Sequence, residues 1–144
     1  MPEQFIQYIP FLSSFLAPAI IIIVFVLLFK KRNQLLDLER GMVPIHKENC
    51  GGKFNYTNFS RPFVRLALYN DFMIISYFKQ ILLNYHEIEK VEYKNQWGQK
   101  YIQIFHRKAD APKKILLITK NAEQISQIIN QKLSNYVQPT QRQT

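Results

Sequence analysis

The sequence predicts an α+β protein, with one N-terminal transmembrane helix, seven short antiparallel strands and a C-terminal amphipathic helix. Three observations predict this order. An uncharged apolar run fills residues 9–29, alternation with a period of two and short turns fill residues 43–119, and a 3.6-residue periodicity begins near residue 121. At 144 residues, the chain has the length of one folded domain plus such a helix.

The apolar run has the length and composition of a membrane-spanning helix. Two serines are the only polar side chains in residues 9–29. At about 1.5 Å per residue the run spans roughly 31 Å, which matches a hydrocarbon core of about 30 Å. Pro18 predicts a kink, which membrane helices tolerate.

The charges beside this run predict its orientation. Lys30, Lys31 and Arg32 follow the run, whereas a cleaved signal peptide would have its cations before it. A retained anchor is therefore expected. The positive-inside rule then predicts an N-terminus outside and a cytoplasmic C-terminal domain at a cell inner membrane or plasma membrane.

After residue 29 the sequence predicts a short stalk and then one folded domain. Leu35 and Leu38 suggest that the helix continues to about Arg40, before Gly41 stops it. The predicted organisation is an extracytoplasmic N-terminus (1–8), a transmembrane helix (9–29), a basic juxtamembrane stalk (30–42), a folded domain (43–137) and a flexible tail (138–144).

Within this domain the sequence predicts an antiparallel meander, because short turns separate segments in which apolar and polar residues alternate. Its expected strands cover residues 43–47, 63–69, 72–78, 81–85, 88–94, 100–106 and 114–119. Residues 48–62 contain Gly51, Gly52 and several asparagines, so they are expected to form mostly a long loop.

A terminal amphipathic helix is expected from residue 121 to about residue 136. Asn121 is a favourable N-cap, and Gln124 lies three residues after it, as in a capping box. One face carries an apolar stripe of Ile125, Ile128, Ile129 and Leu133.

This order of elements resembles the pleckstrin-homology (PH) superfold, and residues 65–93 resemble the core of bacterial PH-like and GRAM-like domains. The pattern is a hairpin, a strand, the turn Tyr85-His86-Glu87-Ile88 and a strand that carries Val91. The resemblance implies a partly open, seven-stranded barrel that the last helix closes at one end. It covers roughly residues 43–137.

No catalytic or metal-binding constellation is predicted. The three histidines fall in different elements, and a zinc site would need more ligands than His46 and Cys50. Cys50, expected to be exposed, has no base beside it in the sequence. A cluster of glutamates near residues 87–92 alternates with lysines, as on a solvated strand face. The prediction is a non-enzyme without cofactor or metal.

The net charge is +9, and 16 basic against 9 acidic residues remain when Lys30, Lys31, Arg32 and Glu3 are set aside. Three interpretations of this remaining positive charge stay open. Cations in predicted connections form the candidate binding set Lys53, Arg61, Lys79, Arg107, Lys108, Lys113 and Lys114. The PH resemblance implies that such connections meet at the open end of the barrel. They could bind an acidic protein surface or an anionic lipid headgroup, or be ordinary solvated charge. The membrane anchor and the lack of an RNA-binding motif argue against nucleic acid.

Trp97, the only tryptophan, lies in a predicted hairpin turn between two lysines, where it could insert into an interface or fold back on the sheet.

The predicted function is a non-catalytic, single-pass membrane protein. It would present a cytoplasmic PH-like interaction module as an accessory or scaffolding subunit of a membrane protein complex. The alternative is a module that binds anionic lipid headgroups of the phosphoinositide kind.

Overall fold

The computed structural model describes the backbone of residues 9–137 and the side chains of residues 15–137. The predicted N-terminus (1–8) and tail (138–144) lie outside the described residues. The helices and strands are α1 Ile9–Asn33, β1 His46–Phe54, β2 Thr57–Leu68, β3 Phe72–Ser76, β4 Gln80–Asn84, β5 Ile88–Gln96, β6 Gln99–His106, β7 Ile115–Ile118 and α2 Ala122–Val137. Two 3₁₀ turns cover Asp37–Glu39 and Tyr85–Glu87.

The strands form one curved antiparallel sheet in the order β4-β3-β2-β1-β7-β6-β5. Strand β1 joins its two halves, because it pairs with β2 along its length and with β7 through residues 51–54. The predicted seven strands and terminal helix are therefore present in the predicted order. The strand count was recoverable because alternating apolar residues and short turns repeat along the chain.

The predicted long loop over residues 48–62 is wrong, because this segment forms most of β1 and the first part of β2. A β-bulge between Cys50 and Gly52 interrupts the register of the two strands. Their turn consists of Asn55 and Tyr56, and Asn55 adopts a φ of 52°. The glycines and asparagines that suggested a loop thus serve a bulge and a tight turn.

The core lies inside the curved sheet, and α2 packs over β5 and β6. Ile102, Ile104, Ile115 and Leu117 are almost fully buried there. The predicted stripe on α2 faces this core: Ile125 and Ile129 are fully buried, while Ile128 and Leu133 pack against it partly buried. At about 1.5–3 kcal/mol for each fully buried side chain, the stripe contributes substantially to stability.

The outer face of β2 and β3 is also buried, which explains why β3 is apolar on both faces. Helix α1 ends at Asn33 rather than at the predicted Arg40. The chain then turns onto the sheet, where Leu36 packs against an outer apolar cluster that includes Tyr69 and Ile74. Residues 34–40 thus lie against the sheet instead of projecting away from it as a stalk.

A buried ion pair fixes this segment. Arg65 Nη2 donates to Glu39 Oε1 and Oε2 at 2.9 and 2.8 Å, and both residues are 2% exposed. The Tyr69 hydroxyl also donates to Glu39 Oε1, at 2.7 Å. Burial alone would raise the pKa of Glu39, but these bonds and one from the Leu36 amide hold it below its ordinary value.

The last turns of α1 also contact the domain. The rings of Phe25 and Phe29 lie 5.8 and 5.5 Å from the ring of Phe63 on β2. The Arg32 guanidinium donates to the carbonyl of Pro62 and lies 4.6 Å from the Phe29 ring centroid. Arg32, expected to mark the orientation of a membrane anchor, is 7% exposed against the domain.

The predicted single-pass transmembrane helix, and the membrane location inferred from it, are wrong on this structure. Across the residues described, no helix combines the length and the apolarity needed to cross a membrane. The described apolar side chains of α1 run from Phe15 to Phe29, about 22 Å at 1.5 Å per residue. Extending that stretch towards about 30 Å adds Lys30, Lys31 and Arg32. Residues 9–14 of the predicted span lie outside the described side chains.

Candidate functional site at the three-loop end

Three connections meet at one end of the sheet, which we call the three-loop end. They are the β1–β2 turn (55–56), the β3–β4 connection (77–79) and the β6–β7 connection (107–114). Asn55, Lys79 and Lys108 each contribute to the lining of one cavity of about 420 Å³ between them. Leu36, which precedes the first 3₁₀ turn, lines the same cavity.

Asn55 holds two of these connections together. Its backbone amide donates to the Lys114 carbonyl at 3.0 Å, and its side-chain oxygen accepts from the Lys114 amide at 3.1 Å. Asparagine tolerates the positive φ found here, so one residue both makes the turn and fixes the β6–β7 connection. The sequence-based site omitted Asn55, although an asparagine between two alternating segments is a recognisable turn signal.

The β6–β7 connection is further fixed by His106 and by two ion pairs. His106 Nε2 lies 2.8 Å from the Pro112 carbonyl, which can only accept, so this nitrogen carries the proton. Arg107 Nε lies 2.8 Å from Glu89 Oε1, and Lys108 Nζ lies 3.8 Å from Glu87 Oε1. The predicted glutamate cluster, with Glu87 in the second 3₁₀ turn and Glu89 on β5, therefore neutralises two of the predicted binding cations.

The other predicted cations of this end keep their charge available. Lys79, Lys113 and Lys114 form no salt bridge with any side chain of residues 15–137. Lys79 lines the cavity, as does Asp110, which lies 4.0 Å from Lys108 Nζ. The cavity itself is thus mixed in charge, with Lys79, Lys108 and Asp110 in its lining, while the free cations Lys113 and Lys114 are not part of that lining.

Three other predicted residues lie elsewhere. Lys53 sits within β1, opposite Asn58 and Leu116, and does not line the cavity. Arg61 lines a separate, larger cavity. Trp97 occupies the β5–β6 turn and is fully exposed, so it does not fold back on the sheet. Their separation could not be read from the sequence, because it depends on where β1 bends and on how the sheet curves.

Nucleophilic chemistry has little support at Cys50. The thiol is fully buried, contrary to the expected exposure. Burial first, and the Glu48 carboxylate second, raise its pKa to about 12, so the thiol stays protonated near neutral pH. Cys50 therefore acts as a small core residue under the bulge of β1.

The curved seven-stranded sheet with a C-terminal helix is a PH-like fold. Among solved structures, the Vps36 N-terminal PH domain matches 74% of this chain and 89% of its own length, with a TM-score of 0.53. The two share 14% sequence identity, so the likeness concerns the fold alone. Protein-family models and curated protein sequences give no match. The expected PH-like fold is confirmed, whereas a bacterial origin is not tested.

Proposed function

We propose that this chain is a non-catalytic interaction module whose three-loop end binds an acidic surface of a partner protein. The distribution of charge at that end carries the proposal. Lys79, Lys113 and Lys114 lack carboxylate partners in the described region, while Arg107 and Lys108 have them. A headgroup with several phosphates would favour free cations converging inside the cavity. Of the three free lysines only Lys79 lines the cavity, where it is joined by Asp110 and the paired Lys108, whereas Lys113 and Lys114 are not part of the lining. Free cations spread in this way suit a protein surface better.

The apolar surface of α1 supports membership of a larger assembly. Phe15, Ile22 and Leu27 are 71%, 62% and 59% exposed, and large apolar side chains between them are exposed too. An apolar surface of this extent on a folded chain commonly marks an interaction site. We therefore propose an accessory or scaffolding role in a protein complex, with α1 held by the assembly and the three-loop end presented to an acidic partner.

Site-specific photo-crosslinking tests the proposal. A photoreactive residue at Gln80, which lines the three-loop cavity, is introduced into the full chain in its native cells. The expected result is one discrete protein adduct, with crosslinked peptides rich in Asp and Glu. Charge reversal at Lys79, Lys113 and Lys114 should reduce the adduct at least tenfold, because the attraction becomes a repulsion.

A matched triple charge reversal at Arg61, Lys100 and Lys120 gives the same change in net charge away from this end, and it should leave the adduct unchanged. Equal loss in both variants would contradict a specific site. The lipid alternative makes a different prediction: no protein adduct, and flotation with anionic vesicles that only the Lys79, Lys113 and Lys114 reversal abolishes.

A further inference from the structure

The sheet has two open edges, strands β4 and β5, because the strand order begins with one and ends with the other. Backbone N–H and C=O groups that face outward from an edge strand can pair with a further strand. Natural sheets therefore protect such edges with charges, bulges or covering elements. The two edges of this sheet differ in that protection.

Strand β5 is protected by its shape and by its charges. A β-bulge between Ile88 and Lys90 interrupts its register with β6. Lys90, Glu92 and Lys94 carry charges along it and pair with one another, and helix α2 packs over the strand. An added strand would meet a bent backbone and charged side chains at this edge.

Strand β4 lacks both of these protections over its five residues, Gln80–Asn84. Its pairing with β3 runs without a register shift, and none of its residues is charged. Ile81 and Leu83 belong to the core, whereas Leu82 packs against the outer apolar cluster that Leu36 also joins. One edge of the sheet is therefore regular, uncharged and open on its outer side.

The hydrogen bonds at the two ends of the β3–β4 pairing show which positions of β4 bond to β3. The Tyr77 amide donates to the Lys79 carbonyl at 2.8 Å, and the Tyr85 amide donates to the Asp71 carbonyl at 3.2 Å. Hydrogen-bonded and non-hydrogen-bonded pairs alternate along antiparallel strands. The odd-numbered residues of β4 therefore bond to β3, and the even-numbered residues direct their backbone groups away from it.

Two residues of this open edge have unused backbone groups. The Asn84 amide is already engaged, because it donates to Glu87 Oε2 at 2.9 Å. Within the described part of the chain, β3 is the only strand beside β4, and no loop backbone bonds to Gln80 or Leu82. Their N–H and C=O groups thus offer two donors and two acceptors to an added strand.

The cavity of the three-loop end lies against the same edge. Three consecutive residues of β4, Gln80, Ile81 and Leu82, line this cavity of about 420 Å³. Ala111 and Pro112 of the β6–β7 connection line it as well. Because paired strands lie about 4.8 Å apart, a strand added to β4 would run beside these residues.

Lys79, the residue before β4, selects the charge of an added segment. It lines the cavity and forms no salt bridge with a side chain of residues 15–137. Lys108 is already shared by Glu87 and Asp110, at 3.8 and 4.0 Å. A carboxylate beside Lys79 therefore gains a partner, whereas a carboxylate beside Asp110 would be repelled.

We propose that the three-loop end holds its acidic partner through an extended segment of that protein, which pairs with β4 as an additional strand. Gln80 and Leu82 would form the main-chain hydrogen bonds. Lys79 would bind an acidic side chain of the segment, and Leu36 would contact an apolar one. This inference rests on the function proposed above, because it specifies how the acidic protein is bound.

Photo-crosslinking along the edge tests this arrangement in the full chain in its native cells. A short diazirine side chain is placed in turn at Gln80, Leu82 and Asn84, because alternate residues of a strand share one face. The adducts should map to one segment of one protein, and the crosslinked residue should move by two positions at each step. Crosslinks scattered over the partner would overturn strand pairing.

A backbone substitution separates strand pairing from charge attraction, with the photoreactive residue at Ala111. Leu82→Pro removes an outward N–H, which an edge strand tolerates, and it should reduce the adduct at least tenfold. Leu82→Val keeps this N–H and should leave the adduct unchanged. Asn95→Pro should also leave it unchanged, because this substitution removes an outward N–H from the other edge, β5.

Urea unfolding verifies that each variant is folded. If Leu82→Pro is not, Gln80→Pro at the first residue of the strand, where proline is tolerated, decides instead. A full adduct in the folded proline variant would overturn strand pairing, and so would an equal loss in Asn95→Pro. The acidic partner would survive either result if charge reversal at Lys79, Lys113 and Lys114 still removed the adduct. No adduct at any position would contradict both proposals.

Discussion

Gly51 shows how a single missing side chain shapes the molecule. A Cβ atom there would lie 3.0 Å from the Phe59 carbonyl oxygen and 3.3 Å from the Arg61 amide nitrogen, both of them backbone atoms. Neither atom can move without displacing β2. The close passage of β2 over β1 at the bulge therefore requires a glycine.

Gly51→Ala should accordingly destabilise the protein by about 1–3 kcal/mol, the usual cost of overpacking. The midpoint of urea unfolding would measure the change. Ser60→Ala, an exposed change in the neighbouring strand, should stay within about 0.5 kcal/mol and serves as the control. An unchanged midpoint for Gly51→Ala would mean that β2 can shift without cost.

Trp97 offers the opposite case, in which a substitution should stabilise the fold. Its turn has positive φ at both central residues, the geometry for which Asn-Gly is preferred. Trp97→Asn should raise the free energy of unfolding by about 0.5–1 kcal/mol, because asparagine tolerates this conformation better. Trp97→Ala, which keeps an unfavourable residue there, should bring no comparable gain. A loss of stability in Trp97→Asn would mean that the exposed ring contributes to folding.

Cys50 marks a limit of reasoning from single residues. In the sequence it stands beside two glycines, which predicted a loop and an exposed thiol. In the structure those glycines belong to a bulged strand, and the thiol points into the core. The residue types were read correctly, but their meaning depended on pairing with β2, a contact between segments that periodicity does not report.

At the scale of elements, the local sequence pattern predicted most strands and α2. It failed where contacts with a neighbouring element determine the conformation. Helix α2 carries a 3.6-residue periodicity, and strand β3 is a short run of β-forming residues between two turns, so both were foreseen. Strand β1 has few apolar residues, because its glycines and polar residues serve a bulge and two pairings at once. The turn of residues 34–40 onto the sheet was equally hidden, since it depends on Glu39 meeting Arg65.

That ion pair leads to a prediction about how the segment is attached. Arg65→Met should cost about 3–5 kcal/mol, because the buried Glu39 carboxylate would lose its charged partner. The double variant Glu39→Gln, Arg65→Met should cost clearly less than the sum of the single changes. Urea unfolding of all four proteins completes the cycle. Additive costs would contradict the pairing, since uncoupled residues contribute independently.

At the scale of the whole molecule, acid should weaken the fold through Glu39 and Glu48. Hydrogen bonds hold both pKa values below the ordinary carboxyl value of 4.5. Groups with a lowered pKa stabilise the folded state above the unfolded-state pKa, and this stabilisation is lost as the pH falls through the folded-state pKa. The urea midpoint should therefore be flat near neutral pH and fall below about pH 4.5.

Glu48→Gln should flatten this acid dependence, because one of the two groups no longer titrates. Glu123→Gln, an exposed change on the first turn of α2, provides the comparison and should keep the steeper fall. Equal slopes for the two variants would show that Glu48 does not contribute. The comparison concerns the slope, so it remains valid if either variant shifts the stability uniformly.

The candidate site was only partly foreseeable at this scale. The sequence identified the cations, and the PH resemblance implied that connections meet at one end. Lys79, Lys113 and Lys114 do belong to the connections at that end, but Arg61 lines a separate cavity together with Lys100 and Lys120. Curvature of the sheet separated residues that the sequence had grouped, and Glu87 and Glu89 at the start of β5 and just before it pair with two of them. The membrane helix was inferred from the apolar run and the cations that follow it, and neither signal registers the contacts of Arg32 and Phe29 with β2.

Leu36 connects the attachment of residues 34–40 on the sheet with the cavity at the three-loop end. One side chain packs on the outer cluster that seats residues 34–40, and it also lines the three-loop cavity. An occupant of that cavity that prefers Leu36 in its seated position must tighten the attachment of α1 by the same free energy with which seated α1 strengthens the occupant's binding. The attachment of α1 to the sheet and the binding of an occupant at the three-loop end would then strengthen each other equally.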